Sequence, residues 1–383
     1  MTAEKSLPQT ITLQDIAERC GVTKATVSRA LNGHPRIGEA TIARIQALAD
    51  EMGYNPTTND AARRLSLKRS GRQVINHVIA LFWPPHTYQS AYFGPIYQHL
   101  LEELTELDFA MLTLYFREAN AAPTSMPRVF ERGDVDGAII FGRHWGRYGV
   151  AERLTTCAGF ARRPIVTILE TLAEHSAVLA DEAGGTRAAV EALLAQGHRH
   201  FVQCIYQPLW PGQTEPYSRV EAVRDALTTA GLDPATHLHL LEIPAHWSEG
   251  LDVTYLASAA NAALITALLA QVSATVLPFL QARPDVTAIL ALNDPLAANL
   301  WYALQQAGYR IPDDFSIVGF DDTTPVLGDA GENQLASVQL PLQRIGQETA
   351  RLIVAQITAA DTTSQQLVLP THLIARASLG PAR

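Results

Sequence analysis

Residues 11–32 read Ile-Thr-Leu-Gln-Asp-Ile-Ala-Glu-Arg-Cys-Gly-Val-Thr-Lys-Ala-Thr-Val-Ser-Arg-Ala-Leu-Asn. Their spacing predicts two short helices joined by a tight turn at Cys20-Gly21-Val22. Leu13, Ile16 and Ala17 recur at i, i+3 and i+4 and give one apolar face. Thr12 is placed to cap the first helix, and Asp15, three residues on, completes a capping box. Gly21 suits the turn because a residue without Cβ takes unusual backbone angles cheaply. Thr23 is placed to cap the second helix, in which Val27, Ala30 and Leu31 face inward. Lys24, Ala25, Thr26, Ser28 and Arg29 are left on the outer face. This is the pattern of a helix-turn-helix, which sets its second helix in the DNA major groove with the N-terminal residues at the base edges. Any two short amphipathic helices share the bare pattern, so its context decides. A third helix is predicted over about 38–52, with Ile42, Ile45, Leu48, Ala49 and Met52 inward. Gly53 is placed to end it, and Pro56 prevents its continuation.

A net charge of −9 over 383 residues is unexpected for a DNA-binding chain. The balance is uneven along the sequence. Residues 1–72 hold 11 Lys/Arg against 7 Asp/Glu, a local +4, and the remainder carries −13. All three lysines, Lys5, Lys24 and Lys68, lie in the first segment. Positive charge thus sits where phosphate contact needs it, and the acidic remainder is repelled by DNA. The length allows two or three domains, and 47% hydrophobic residues supply a substantial core. Cys20, Cys157 and Cys204 are scattered without metal-ligand spacing, so neither a metal nor a cofactor is expected and a reducing compartment is. The polar first ten residues do not read as a signal peptide. A cytoplasmic protein is therefore expected. The most apolar run, 262–280, is interrupted by Thr266, Gln271, Ser273, Thr275 and Pro278 and reads as a buried or amphipathic helix rather than a membrane span.

From Val74 onward strand-like apolar runs alternate with helical patterns. Strands are expected at 78–83, 110–115, 137–141, 165–169, 200–205, 288–292 and 316–320, and helices at 96–107, 184–196, 219–230, 297–307 and 342–354. The alternation indicates parallel, doubly wound sheets. The segment is too long for one such sheet, so two similar subdomains are expected. In open parallel sheets ligands bind beyond the carboxyl ends of the strands. That rule selects Trp83 with nearby His86 and Tyr88, Glu170, Asn293 with Asp294, and Asp321, and Arg219 starts a helix after a loop. His198, in a Gly-His turn, reads as structural.

The segment 12–56, with Val-Thr-Lys-Ala-Thr-Val-Ser-Arg-Ala-Leu-Asn and Met-Gly-Tyr-Asn-Pro, resembles the headpiece of the lactose-repressor/galactose-repressor (LacI/GalR) family of bacterial transcription regulators. The likeness runs to the C-terminus through Val-Asp-Gly-Ala-Ile-Ile-Phe (135–141), Asp-Glu-Ala-Gly-Gly-Thr-Arg-Ala-Ala-Val (181–190), Gly-His-Arg-His (197–200), Asn-Asp-Pro-Leu-Ala (293–297) and Ile-Pro-Asp-Asp-Phe-Ser-Ile-Val-Gly-Phe-Asp-Asp (311–322), then Leu-Ala-Ser-Val-Gln (335–339) and Leu-Ile-Ala-Arg-Ala-Ser (373–378). The resemblance implies an all-α helix-turn-helix headpiece (1–57), a hinge (58–72) and an α/β periplasmic-binding-protein-like effector domain (73–383). We expect its N-subdomain at about 73–197 and 330–360, and its C-subdomain at about 198–329 and 361–383. It also implies a homodimer on a pseudo-palindromic operator in double-stranded DNA, with DNA contacts at Thr12, Thr23, Lys24, Ala25, Thr26, Ser28, Arg29 and Asn32. In the hinge, Arg63 and Arg64 fall near phosphates. Leu65, or Leu67 in another register, is the wedge for the minor groove; the same segment also reads as an ordinary basic linker. The spacing from Pro56 to Leu65 is about two residues longer than is usual in the family.

The same resemblance places Arg219, Asn293 and Asp321 against a small sugar-like effector. The chemistry suits a polyol, because a carboxylate accepts, a guanidinium donates as a fork and an amide does both. Asp and Asn serve equally as turn and capping residues. Trp247 has the face to stack on a sugar or to pack in a core. Residues 248–282 are longer and richer in alanine than the family's usual counterpart. Two other classes compete: an extracytoplasmic sugar-binding protein, which the large domain alone allows, and an enzyme on an α/β scaffold. The enzyme reading lacks a G-x-S-x-G, P-loop, H-E-x-x-H or G-x-G-x-x-G motif. No heptad tail follows the last strand, so a tetramer is not indicated.

Overall fold

The structure, a computed structural model, describes residues 11–31, 34, 36–52, 54, 74–84, 90–114, 126–141, 149–172, 174–207, 218–244, 262–360 and 363–383. Asn32, Arg63, Arg64, Leu65, Leu67, His86, Tyr88 and Trp247 lie outside the described residues. The chain divides into two compact units, Met1–Ile75 and Asn76–Arg383.

In the first unit the three expected helices are α1 (Leu13–Cys20), α2 (Lys24–Leu31) and α3 (Glu39–Glu51). Thr12 caps α1 through a reciprocal capping box: the Asp15 amide donates to Thr12 Oγ1 at 3.3 Å, and the Thr12 amide donates to Asp15 Oδ2 at 2.7 Å. The Thr12 side chain holds the Asp15 carboxyl below its ordinary range. Gly21 ends α1 at φ +66°, a left-handed angle that costs a residue with Cβ about 1 kcal/mol or more. Ile16, Ala17, Val27, Ala30, Ile45 and Ala49 form the buried core, and Tyr54 closes it from beyond α3.

The strands of the second unit are β1 (Val78–Phe82), β2 (Ala110–Leu114), β3 (Gly137–Phe141), β4 (Ile165–Ile168), β5 (Ser176–Ala180) and β6 (Phe201–Gln207), then β7 (Leu238–Pro244), β8 (Ala288–Ala291), β9 (Ser316–Asp321), β10 (Ala336–Gln339), β11 (Gln366–Leu369) and β12 (His372–Ile374). Between and after them run α4 (Phe93–Glu106), α5 (Arg128–Glu131), α6 (Val150–Thr156), α7 (Glu182–Ala195), α8 (Ser218–Thr229), α9 (Pro234–His237), α10 (Ala262–Gln281), α11 (Asp294–Gln306) and α12 (Leu342–Ala359). They build two six-stranded sheets, in the orders β11-β5-β4-β3-β1-β2 and β12-β10-β9-β8-β6-β7. Every pairing is parallel except that of β12, which lies antiparallel on the edge of β10. Strands β3, β4, β8 and β9 are buried along their whole length, as strands covered on both faces must be.

Sheet pairing puts the subdomain borders elsewhere than 197/198, 329/330 and 360/361. β10 adds to the second sheet beside β9, with Ala336 opposite Val318, and β11 returns to the first beside β5. Helix α7 belongs with the second sheet, because Gly185 lies against Val338 and Thr371 so closely that a Cβ has no room. Helix α12 packs on α4 and on β3, β4 and β5 of the first sheet. The chain therefore crosses between subdomains near 181, 340–341 and 370–371. Two crossings are tied together: the Asp181 amide donates to the Leu369 carbonyl at 2.8 Å, and Thr371 Oγ1 donates to the Asp181 carbonyl at 2.8 Å. The apolar run forms α10, which buries Val272, Val276 and Leu280 against the second sheet's core. No helix among the described residues is long and apolar enough to cross a membrane.

His198 is buried where β6, β8 and β9 begin. Its Nδ1 lies 2.7 Å from Thr287 Oγ1, and its Nε2 lies 3.0 Å from both Ser316 Oγ and the Gly380 carbonyl. One imidazole thus joins three strand starts to the C-terminal tail. His198→Ala is expected to lower the unfolding free energy by about 2 kcal/mol, because it strands buried partners. A lower urea midpoint checks this, and an unchanged one contradicts it. Burial also holds this imidazole below its ordinary value of 6.5. Its contribution is therefore present above that value and is lost as pH falls through the depressed one, a loss the variant lacks.

Candidate nucleic-acid interface and effector crevice

The outer face of α2 is as the periodicity predicts. Val27 and Ala30 are buried, Lys24, Ala25 and Arg29 are exposed, and Thr26 and Ser28 are half-buried. Thr23 caps α2 by accepting from the Thr26 amide at 3.2 Å, and its hydroxyl lies 2.9 Å from Thr26 Oγ1. The exposed cations at Lys24 and Arg29 are five residues apart on one short, capped helix. That spacing turns them roughly 140° apart around the helix axis, one at the start and one near the end of the outer face. Thr12 is exposed at the start of α1, beside the open N-terminal turn of that helix, where backbone amides favour an anion such as phosphate.

In the second unit the chain reverses direction through each sheet at β1/β3 and at β6/β8, the topological switch points at which doubly wound sheets form their crevices. The carboxyl ends of the second sheet bring Arg219 and Asp321 together. Arg219, on α8, is 5% exposed. Its Nε donates to Glu182 Oε2 at 3.0 Å, its Nη1 donates to the Leu292 carbonyl, and its Nη2 lies 3.8 Å from Asp321 Oδ1. The guanidinium is stacked 3.6 Å from the centroid of the Phe320 ring. A planar cation suits this position because it bonds in its plane and stacks across it.

Asp294 lies directly behind this group. It accepts from the Thr323 amide at 2.6 Å, the Thr324 amide at 3.4 Å and Ser337 Oγ at 2.6 Å. A Cβ on Gly319 would run into its Oδ1, so the β9 backbone must be glycine there. Burial first, and the Asp321 carboxylate second, push the Asp294 carboxyl up to about 8. Asp321 and Asp322 both take positive φ, +94° and +57°, angles uncommon for residues with a Cβ. Arg376 holds this turn by a bidentate pair to Asp322, at 2.6 and 3.1 Å.

Asn293 caps α11, its side chain accepting from the Leu296 amide at 3.1 Å. Trp83 and Glu170 stand on the other sheet, after β1 and β4. Trp83 is fully buried among Phe93, Tyr97 and Phe141, with ring centroids 5.3–5.8 Å away, which leaves no open face for stacking. Its indole Nε1 is buried without a hydrogen-bond partner among the described residues. The Glu170 carbonyl accepts from Thr167 Oγ1, and its side chain is half-buried. Sequence reasoning passed over Glu182 and the inward role of Asp294. The strand-end rule held a signal for Glu182, since it lies two residues beyond β5.

Residues 12–57 match the bacterial regulatory proteins of the lacI family, and residues 190–379 match the periplasmic binding protein-like domain. The regulator CelR of Thermobifida fusca is 28% identical over 375 residues, 96% of this chain and 98% of that protein. The solved CelR–cellobiose complex has the same fold, with a TM-score of 0.58 at 24% identity over 96% of this chain and 99% of that one. So does the lac repressor dimer bound to operator and the anti-inducer ONPF, with a TM-score of 0.56 at 18% identity over 97% of this chain and all of that one. With its helix-turn-helix unit and two-sheet domain, the protein is a DNA-binding transcription regulator and not an enzyme. The chain belongs to the LacI family. The headpiece match also sets aside the reading as a solute-binding protein feeding a transporter.

Asp294 sets a pH dependence of known sign. Its carboxyl titrates near 3.8 when unfolded and at about 8 when folded. The folded protein thus holds the extra proton between these values, and stability falls as pH rises through them. Across this window the melting temperature of the parent should fall relative to that of Asp294→Asn as pH rises. Equal slopes in the two proteins would show Asp294 ionised throughout.

Proposed function

We propose that the protein is a homodimeric repressor of a pseudo-palindromic operator, released by a neutral, hydroxyl-rich effector of sugar type. The observation that carries the effector class is the charge balance at the crevice. One guanidinium, Arg219, faces the carboxylates of Glu182 and Asp321, with Asp294 behind them. Arg219 already donates to Glu182 and to a carbonyl. An anionic effector would meet an excess of negative charge, whereas a hydroxyl group can donate to Asp321 and accept from the guanidinium. Glu170, Asn293 and Trp247 complete the effector set. The cellobiose in the CelR complex supports a sugar, and the operator in the lac repressor dimer supports a two-fold arrangement.

On DNA, Lys24 and Arg29 donate to guanine O6 and N7, and Ala25 lies against a thymine methyl. Thr12, Thr26 and Ser28 contact phosphates, which position the headpiece without specifying sequence, and Thr23 and Asn32 complete the DNA-facing set. Arg63 and Arg64 flank the minor groove, and Leu65 is the wedge that opens a base step. Effector and operator affinities are reciprocally linked, since each selects one arrangement of the two subdomains.

Selection of genomic fragments by the purified protein at near-physiological salt tests this reading. Enrichment of a pseudo-palindrome is expected. Arg29→Ala should lower affinity for that site about tenfold or more while largely sparing random DNA, as loss of a base contact worth 1–3 kcal/mol requires. An equal loss on both DNAs reassigns Arg29 to phosphate. In the crevice, Asp321→Ala should leave operator affinity in place and abolish release by the sugar that releases the parent protein. An unchanged release curve removes Asp321 from the effector site.

A further inference from the structure

At the opposite end of the second sheet, away from the crevice, three metal-ligating side chains converge. His200 stands just before β6, His239 is the second residue of β7, and Asp285 lies in the turn before β8. Strands β8, β6 and β7 are adjacent and parallel, so their N-terminal ends meet along one edge. One ligand atom from each of the three residues falls within 4.8 Å of the others. His200 Nδ1 lies 3.2 Å from Asp285 Oδ2, in contact but out of line for a hydrogen bond. His239 Nε2 is shielded from solvent and has no hydrogen-bond partner among the described residues. The positions are 39 and 46 residues apart, so no sequence motif announces them.

We propose that His200, His239 and Asp285 form a site for a borderline divalent transition-metal ion, Zn²⁺ being the type, with water in the fourth position. Two imidazoles and a carboxylate are a donor set this ion accepts. Metal–ligand bonds of about 2.0–2.2 Å in a tetrahedron put ligand atoms roughly 3.3 Å apart. The widest pair has to draw in by about 1.5 Å on that geometry. Asp285, with a side chain 48% exposed on a turn, is free to adjust toward the two imidazoles. The His200 ring is also held by the His237 ring, 4.7 Å away between centroids, and the His239 ring by Phe279, 5.7 Å away. Arg283 is a cation near the site, and the Asp285 carboxylate offsets it. A bound ion would fasten the edge strand β7 to β6 and to the turn before β8. The site lies at the opposite ends of these strands from the proposed effector residues.

The test uses the full chain after treatment with chelator. Titration with ZnCl₂ by calorimetry should show saturable binding of one ion that His239→Gln and Asp285→Asn each weaken at least about tenfold. A hundredfold excess over the dissociation constant should raise the melting temperature by roughly 5 °C. CoCl₂ in place of zinc should give the intense visible absorption of a tetrahedral site. Asp285→Asn alters only a half-exposed turn, and the metal-free melting temperature shows whether it folds as the parent does. Zinc bound as tightly by that folded variant, or no saturable binding by the parent, overturns the proposal; the former outcome means an adventitious ion only.

Discussion

The buried guanidinium of Arg219 is the fixed point of the effector domain's working end. It draws in the start of α7 through Glu182, the end of β8 through the Leu292 carbonyl, and the end of β9 through Asp321 and the Phe320 ring. Three elements distant in sequence are held to α8 by one planar cation. Breaking a buried pair on one side leaves an uncompensated charge and costs about 3–5 kcal/mol. The group is thus fixed in place by the protein's own contacts.

Around that cation the backbone is bent to fit. Asp321 and Asp322 take left-handed angles, and such angles persist only where surrounding contacts over-determine them. Here those contacts are the Arg376 pair to Asp322, the Ser337 hydroxyl on the Asp322 amide and the Asp294 carboxyl on the two amides that follow. Asp294 also fixes residue 319 as glycine. Burial favours the protonated form of Asp294, which relieves part of the negative charge gathered there.

The headpiece works by a different division of labour. Its core is made by one face of each helix, and the caps at Thr12 and Thr23 set where the helices begin. What remains outside is the functional face. The two roles do not compete for the same residues, which is why the motif is so legible. In the large domain, expected strands such as 78–83, 137–141 and 316–320 were legible for a related reason: strands buried on both faces are continuous apolar runs. Strands β5, β7, β10, β11 and β12 were not expected, because they are short or partly exposed and mix polar with apolar residues. Helices α4 and α11 began a turn earlier than the periodicity indicated, since a first turn is shaped by caps such as Asn293 rather than by the apolar stripe.

The sequence by itself determined the helix-turn-helix, its outward residues, the alternation of parallel strands and helices, and the family. These are properties of short windows, in which periodicity, capping and strand burial leave a local trace. Only the tertiary structure decided where the chain crosses between subdomains, that Glu182 and Asp321 flank Arg219 with Asp294 beside Asp321, and that Trp83 is packed in a core. It alone brought His200, His239 and Asp285 to one edge. Each of these depends on which strand lies beside which, and strand neighbours far apart in the chain are chosen by the packing of the whole sheet, which no local pattern records.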